Sequence, residues 1–344
     1  MKFLYASLLV LVGSCATIRH SDKIENLKNG ITFEDKEIVQ KYLKTISESE
    51  LEAHVVNFSD DKFLGRKTGE KGHFEACDYL RSFYISQDIS APITHPDYFQ
   101  TVPKGALPED IENDSQNVIA FIEGSEFPDE YIYIAAHSDH EGVIDGEIYN
   151  GADDNGSGTA AVLEMAEAFN LAVKDGFRPK RSIVFLHVTA EEIGLHGSRY
   201  YVRNPIFPLE NTIATLNIDM IGRVDKIHSD SKNYVYLIGA DRISTELHYI
   251  AQKANSTFTN LELDYTFNDE KDINRYYYRS DHYNFAVNGI PVIFFFNGEH
   301  EDYTKPTDTA DKINYPLLTK RTKLIFATAW YLANSEKKLN PEII

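Results

Sequence analysis

Six short runs set the pattern of this chain: Asn117–Ile122, Tyr131–Ala136, Ser182–Val188, Ile213–Ile218, Tyr234–Ile238 and Pro291–Phe296. All are apolar and rich in β-branched or aromatic residues, as buried strands are. Between and after them, apolar residues recur at helical spacing over Thr159–Val173, Ile243–Ala254 and Pro316–Leu332. Upstream, Ile38, Val39, Tyr42, Leu43 and Ile46 predict a helix within Phe33–Leu51, and a second is predicted over His73–Ile85. Strands alternating with helices predict an α/β fold, a three-layer sandwich whose mixed, largely parallel central sheet is flanked by helices. A chain of 344 residues with 12% aromatic content has ample material for such a core. In sheets of this kind functional groups gather beyond the carboxyl ends of the strands.

Lys and Arg total 34 against 53 Asp and Glu, a formal charge of −19. Such a surface repels phosphate backbones, so nucleic acid is excluded as a partner. The two cysteines, Cys15 and Cys77, cannot build a disulfide framework. Cys77 lies in the helical stretch and reads as a small buried hydrophobe. Lys2 followed by the apolar run Phe3–Val12 is shorter than the roughly 20 residues a membrane span needs, but suits a secretory signal. Leu11-Val12-Gly13-Ser14-Cys15 resembles the lipobox of bacterial lipoproteins. That resemblance implies a signal peptide over 1–14, a lipidated Cys15 as the sole membrane contact, and a polar tether over 15–30. The protein is then exported and lipid-anchored in a bacterial envelope, at the outer membrane or periplasmic face. A single domain over 31–336 follows, its N-terminal helices at 33–90 packing on a core at 115–336.

The strand exits carry the chemistry. The strand at 131–136 leads into His137-Ser138-Asp139, and the next loop, Gly151–Gly158, holds Asp153 and Asp154. The strand at 182–188 leads into Thr189-Ala190-Glu191-Glu192, and the one at 213–218 into Asp219. An acid at one strand end is ordinarily a helix cap or a solvated group, but four such groups in succession mark a site. Clustered carboxylates repel one another unless a cation neutralises them, and histidine with carboxylates suits zinc or a similar divalent ion. In His137-x-Asp139 the acid can accept from the ring nitrogen turned away from the metal. Adjacent side chains at Glu191-Glu192 diverge, so that one ligates while the other serves as general base to an acidified water. His187 reads as a core histidine, His140 and His196 as loop residues, and Tyr276–Tyr278 as packing.

Taken together, His137-x-Asp139, Gly151-Ala-Asp-Asp154-Asn-Gly-Ser-Gly158, Ala190-Glu-Glu192-Ile-Gly194-x-x-Gly-Ser198, Leu216-Asn-Ile-Asp219-Met and Ser280-Asp-His282 resemble the co-catalytic zinc exopeptidases. These include secreted bacterial leucine aminopeptidases and are related to glutamate carboxypeptidase. The similarity spans about residues 33–334 and takes in Leu64-Gly-Arg66-x-Thr-Gly69. It implies a phosphorylase/hydrolase-like sandwich, peptide substrates and two zinc ions. His137 and Asp219 would hold one ion, Asp154 would bridge, and Glu192 would hold the second. Glu191 would be the base, Asp139 would orient His137, and the Asp154–Asn155 peptide would be cis. Ser280–His282 would line the pocket, with His282 outside the ligand set.

One position departs from the resemblance. A segment resembling Tyr-His-x-Pro-x-Asp-Thr reads Tyr303-Thr304-Lys305-Pro306-Thr307-Asp308-Thr309, with threonine where the second ion's histidine belongs. A threonine hydroxyl is a weak zinc ligand. Asp154 and Glu192 alone then remain for that ion, with His300 as a substitute within reach in sequence. Tyr303 matches an oxyanion donor of some relatives. The resemblance implies a metallo-aminopeptidase acting on peptide N-termini. Thr304 alone motivates the alternative, a non-catalytic binding protein on a degenerate peptidase fold.

Overall fold

The computed structural model describes residues 20–343, so the signal peptide and Cys15 lie outside the described residues. Part of the stretch read as a tether is helical: α1 (His20–Gly30) buries none of its side chains. The single helix expected within Phe33–Leu51 is two, α2 (Lys36–Leu43) and α3 (Glu48–Phe58). The cause is Ser47. Its backbone is extended, its hydroxyl oxygen accepts the Glu50 N–H at 3.2 Å, and the same hydroxyl donates to the Glu50 carboxylate at 2.7 Å. Such a cap starts a new helix and overrides the apolar period that runs across it. Helix α4 (Lys71–Ser86) follows and buries Cys77.

The chain then alternates through β1 (Phe99–Val102), β2 (Ser115–Ile122), β3 (Phe127–His137), a small hairpin of β4 (Gly142–Ile144) and β5 (Glu147–Tyr149), α5 (Gly158–Lys174) and β6 (Arg181–Val188). After α6 (His196–Arg203) come β7 (Thr212–Ile218), β8 (Tyr234–Ile238), α7 (Thr245–Phe258), β9 (Glu262–Asp264), α8 (His282–Ala286), β10 (Val292–Phe296) and α9 (Tyr315–Asn334). Eight strands form one sheet in the order β1-β2-β6-β3-β7-β10-β8-β9. The central four, β6, β3, β7 and β10, are parallel; β1, β2 and β8 join antiparallel. The register sets His137 against Val188, Ala135 against Asn217, and Ile218 against Phe295. The exits of four parallel strands therefore lie along one edge.

Period two along each strand divides the core. Ile132, Ile134, Ala136, Leu216, Ile218, Ile293 and Phe295 face a layer that includes α2, α3, α4, α5, α7 and α9. Tyr133, Ala135, Val184, Leu186, Phe294 and Phe296 face Tyr201 of α6 and Phe285 of α8. Both faces are covered, which is why the strands read as unbroken apolar runs. His187, in the middle of β6, is fully buried and is met by the Tyr84 hydroxyl at 2.7 Å. Trp330 on α9 stacks on Phe169 of α5 and Tyr42 of α2, and its indole N–H donates to Asp35 at 2.6 Å, joining the N-terminal helices to the rest. No helix among the described residues is long and apolar enough to cross a membrane.

Candidate active site

His137 closes β3, and its Nε2 stands 3.2 Å from Asp154 Oδ1 and 3.3 Å from Asp219 Oδ1. The other ring nitrogen turns back to the Asp139 carbonyl at 3.2 Å, with the Asp139 carboxylate at 3.7 Å. That carboxylate accepts the Thr68 hydroxyl at 2.9 Å and the Glu191 N–H at 3.2 Å, so it couples the exits of β3 and β6. Asp219, just past β7, accepts the Ser280 hydroxyl at 2.6 Å. Ser280 in turn accepts from the Asn217 amide at 2.8 Å.

Asp154 is held by the loop leading into α5. The Asp154–Asn155 peptide is cis. The Asn155 amide donates to the Ile218 carbonyl at 2.8 Å, and its oxygen accepts the N–H groups of Gly158 and Met220 at 3.0 and 3.2 Å. One Asp308 oxygen accepts the N–H groups of Asp153 and Asp154 at 3.0 and 3.1 Å. Gly158 is required by close approach, since a Cβ there would lie 2.3 Å from Asn155 Oδ1 and 2.6 Å from the Ile218 carbonyl oxygen. Arg66, fully buried, spans the two exit loops by donating to the carbonyls of Ser138, Asn150 and Gly151 at 3.1, 2.6 and 3.0 Å. The Leu64–Gly69 stretch thus works through Arg66 and Thr68, which brace the site from behind.

The electrostatics call for a cation. Burial and the neighbouring Glu192 push Asp154 up to about 6. Burial pushes Glu192 up to about 8, with Asp139 and Glu141 adding to it. Burial drives Glu191 well above the usual carboxylate range, with Asp219 and Glu192 beside it. Burial opposes charge on His137, yet Asp219 and Glu191 hold the ring well above its ordinary value, so a proton on Nε2 answers the carboxylates around it. A divalent ion does the same more completely. Donor atoms of His137, Asp154 and Glu192 lie within 4.8 Å of one another, and Asp219 lies against the same ring nitrogen. One imidazole with buried carboxylates fits zinc.

Glu191 lines a cavity of about 560 Å³ together with Asp154, Glu192 and Asp219. Met220, Tyr276, Tyr278, Phe294 and Phe296 form its apolar wall, so this stretch of tyrosines is partly lining as well as packing. Tyr303 also faces it, its hydroxyl 3.3 Å from the Arg279 guanidinium. The sequence-derived set His137, Asp139, Asp154, Glu191, Glu192 and Asp219 is therefore gathered at one place.

Three histidines differ from expectation or complete it. His300 is not at Glu192: its Nε2 lies 3.1 Å from Asp153 Oδ2, committed to the neighbouring acid. His282 is buried and stacked on Phe294. His140, read as a loop residue, is buried with Nδ1 2.6 Å from Glu192 Oε1. Thr304 is exposed, with a left-handed backbone at φ 52°.

Such a donor set at the exits of a parallel sheet places the protein among the metal-dependent hydrolases. Within that class the chain belongs to peptidase family M28, which matches it over residues 117–329. A probable zinc metalloprotease of Pyricularia oryzae is 27% identical over 301 residues, covering 75% of this chain and 57% of that protein. The chain thus spans little more than half the length of that relative. A probable aminopeptidase of Saccharomyces cerevisiae is 26% identical over 300 residues, covering 85% and 74% of the two chains. The LapA aminopeptidase of Legionella pneumophila shares the fold, with a TM-score of 0.68 at 22% identity over 89% of this chain and 77% of that one.

Proposed function

We propose that the protein is an exported zinc aminopeptidase that hydrolyses the N-terminal peptide bond of peptides, with Glu191 as general base. One observation carries this reading. Glu191 lies outside the His137–Asp154–Glu192 group, yet it lines the same cavity and is held there through its backbone bond to Asp139. A protein that only bound peptides would have no use for a half-buried carboxylate lining the cavity beside that group.

His137, Asp154, Asp219 and Glu192 would hold the metal. Zinc in this place supplies Lewis acidity, polarising the scissile carbonyl and acidifying water. Glu191 takes the proton of the attacking water and passes it to the departing amine. Burial raises Tyr303 well above its ordinary value, so its hydroxyl keeps its proton and can donate to the carbonyl oxygen as negative charge develops there. The names of the yeast relative and of LapA support the aminopeptidase class. Export and lipid anchoring are supported by Leu11–Cys15.

Glu191→Gln keeps the shape and removes the base. We expect kcat on aminoacyl-anilides to fall by about 10³-fold, within the range a positioned acid–base group contributes, while zinc content stays at the wild-type value. Undiminished turnover would overturn the assignment.

A further inference from the structure

We propose that His140 supplies the imidazole for a second metal position, in place of residue 304. The inference rests on the zinc peptidase reading above. Glu192 and Asp154 are the carboxylates on that side, and Thr304 brings them only a hydroxyl, a weak zinc ligand. His300 is committed to Asp153 at 3.1 Å, and His137 already points its Nε2 between Asp154 and Asp219.

Among the described residues, His140 is the remaining imidazole at these acids, in direct contact with Glu192. Its side chain is wholly buried, with Nδ1 2.6 Å from Glu192 Oε1, while Nε2 has no hydrogen-bond partner among the described residues. The ring is placed from two sides. The His140 N–H donates to the Arg66 carbonyl at 3.2 Å, and a Cβ on Gly151 would lie 2.6 Å from the ring and 2.0 Å from the Asp154 carbonyl oxygen. With φ at +52°, Gly151 leaves open the space the imidazole fills beside Asp154.

Distances agree with a shared ion. Two donors to one tetrahedral zinc, each at about 2.0–2.1 Å, stand about 3.3 Å apart. Opening the 2.6 Å contact to that value takes a shift of under about 1 Å, and the Glu192 side chain is 12% exposed and free to make it. A single exit loop then serves both positions, His137 through Nε2 and His140 through Nδ1.

The test is zinc content of the full chain by elemental analysis after dialysis against zinc-buffered solution. We expect two zinc ions per wild-type chain, one in His140→Ala and in His140→Asn, and two again when Thr304→His is added to His140→Ala. Asparagine keeps a hydrogen-bond donor toward Glu192 but ligates zinc poorly, so loss of one ion in His140→Asn separates ligation from mere positioning of Glu192. Two ions retained in His140→Asn, or only one in the wild type, would overturn the proposal. Should the variants fail to fold, X-ray absorption on the wild type decides: one imidazole per zinc on average supports His140, and one per two zinc ions refutes it. A wild-type chain with two ions and no turnover would sink the aminopeptidase reading and leave His140 standing. Turnover with a single ion would do the reverse.

Discussion

Ser280 shows how residues that touch no substrate decide whether a site works. Its hydroxyl donates to Asp219 at 2.6 Å and fixes the carboxylate that faces His137. Partners of this kind are worth about 10–100-fold in metal affinity. Ser280→Ala should therefore weaken zinc binding by at least about 10-fold in a competition with a chelating dye; unchanged affinity would mean that the Ser280 hydroxyl does not position the ligand. At this scale the sequence is informative where a residue's place in its own strand implies its role. His137, Asp154, Glu191, Glu192 and Asp219 each follow a strand or open a helix, so their convergence can be read from order alone. Ser280, Thr68 and His140 cannot be found that way. Their partners lie 61, 71 and 52 residues off in the chain, and no periodicity marks them.

At the scale of elements, the contact between α3 and α5 stores a proton. Glu164 of α5 accepts the Ser47 N–H at the start of α3 at 3.2 Å and lies 3.7 Å from His54 Nε2. Burial pushes its carboxyl from 4.5 up to about 8. The folded chain then holds this proton more tightly than the unfolded chain does. The contribution to stability is full below about pH 4.5 and is lost as pH rises toward 8. Glu164→Gln keeps an acceptor for Ser47 and removes the charge. It should stabilise the protein at pH 8 by on the order of 2–4 kcal/mol and leave stability at pH 4.5 nearly unchanged, read from denaturant unfolding at the two values. A gain of equal size at both would show that packing, not charge, is at stake. The helices themselves were mostly visible as apolar periodicity, α5 almost to the residue. The division of α2 from α3 was not, because a cap is a local hydrogen-bonding event inside a continuing apolar stripe. The short α6 and α8, on the aromatic face of the sheet, were too brief to show a period.

For the whole molecule, the sandwich follows from strand–helix alternation, whereas strand order does not, since nothing in β2 or β8 marks them as antiparallel. The proposed anchoring likewise belongs to the scale of the entire chain. Changing Cys15→Ser should move the protein from the membrane fraction to the soluble fraction of the envelope without altering turnover per molecule; a wild-type chain already free of membranes would refute the lipid anchor. The exits of β3, β6 and β7 lie side by side in space but are spread over some eighty residues of chain, from His137 to Asp219. Parallel pairing of this kind forms only through distant contacts, so the unfolded polypeptide has no pocket in which to gather its ligands. Loading must therefore follow folding, and the ion acquired is the one offered by the surroundings in which the sheet closes. For a chain exported as proposed, the choice of metal passes from the cell's interior to its habitat.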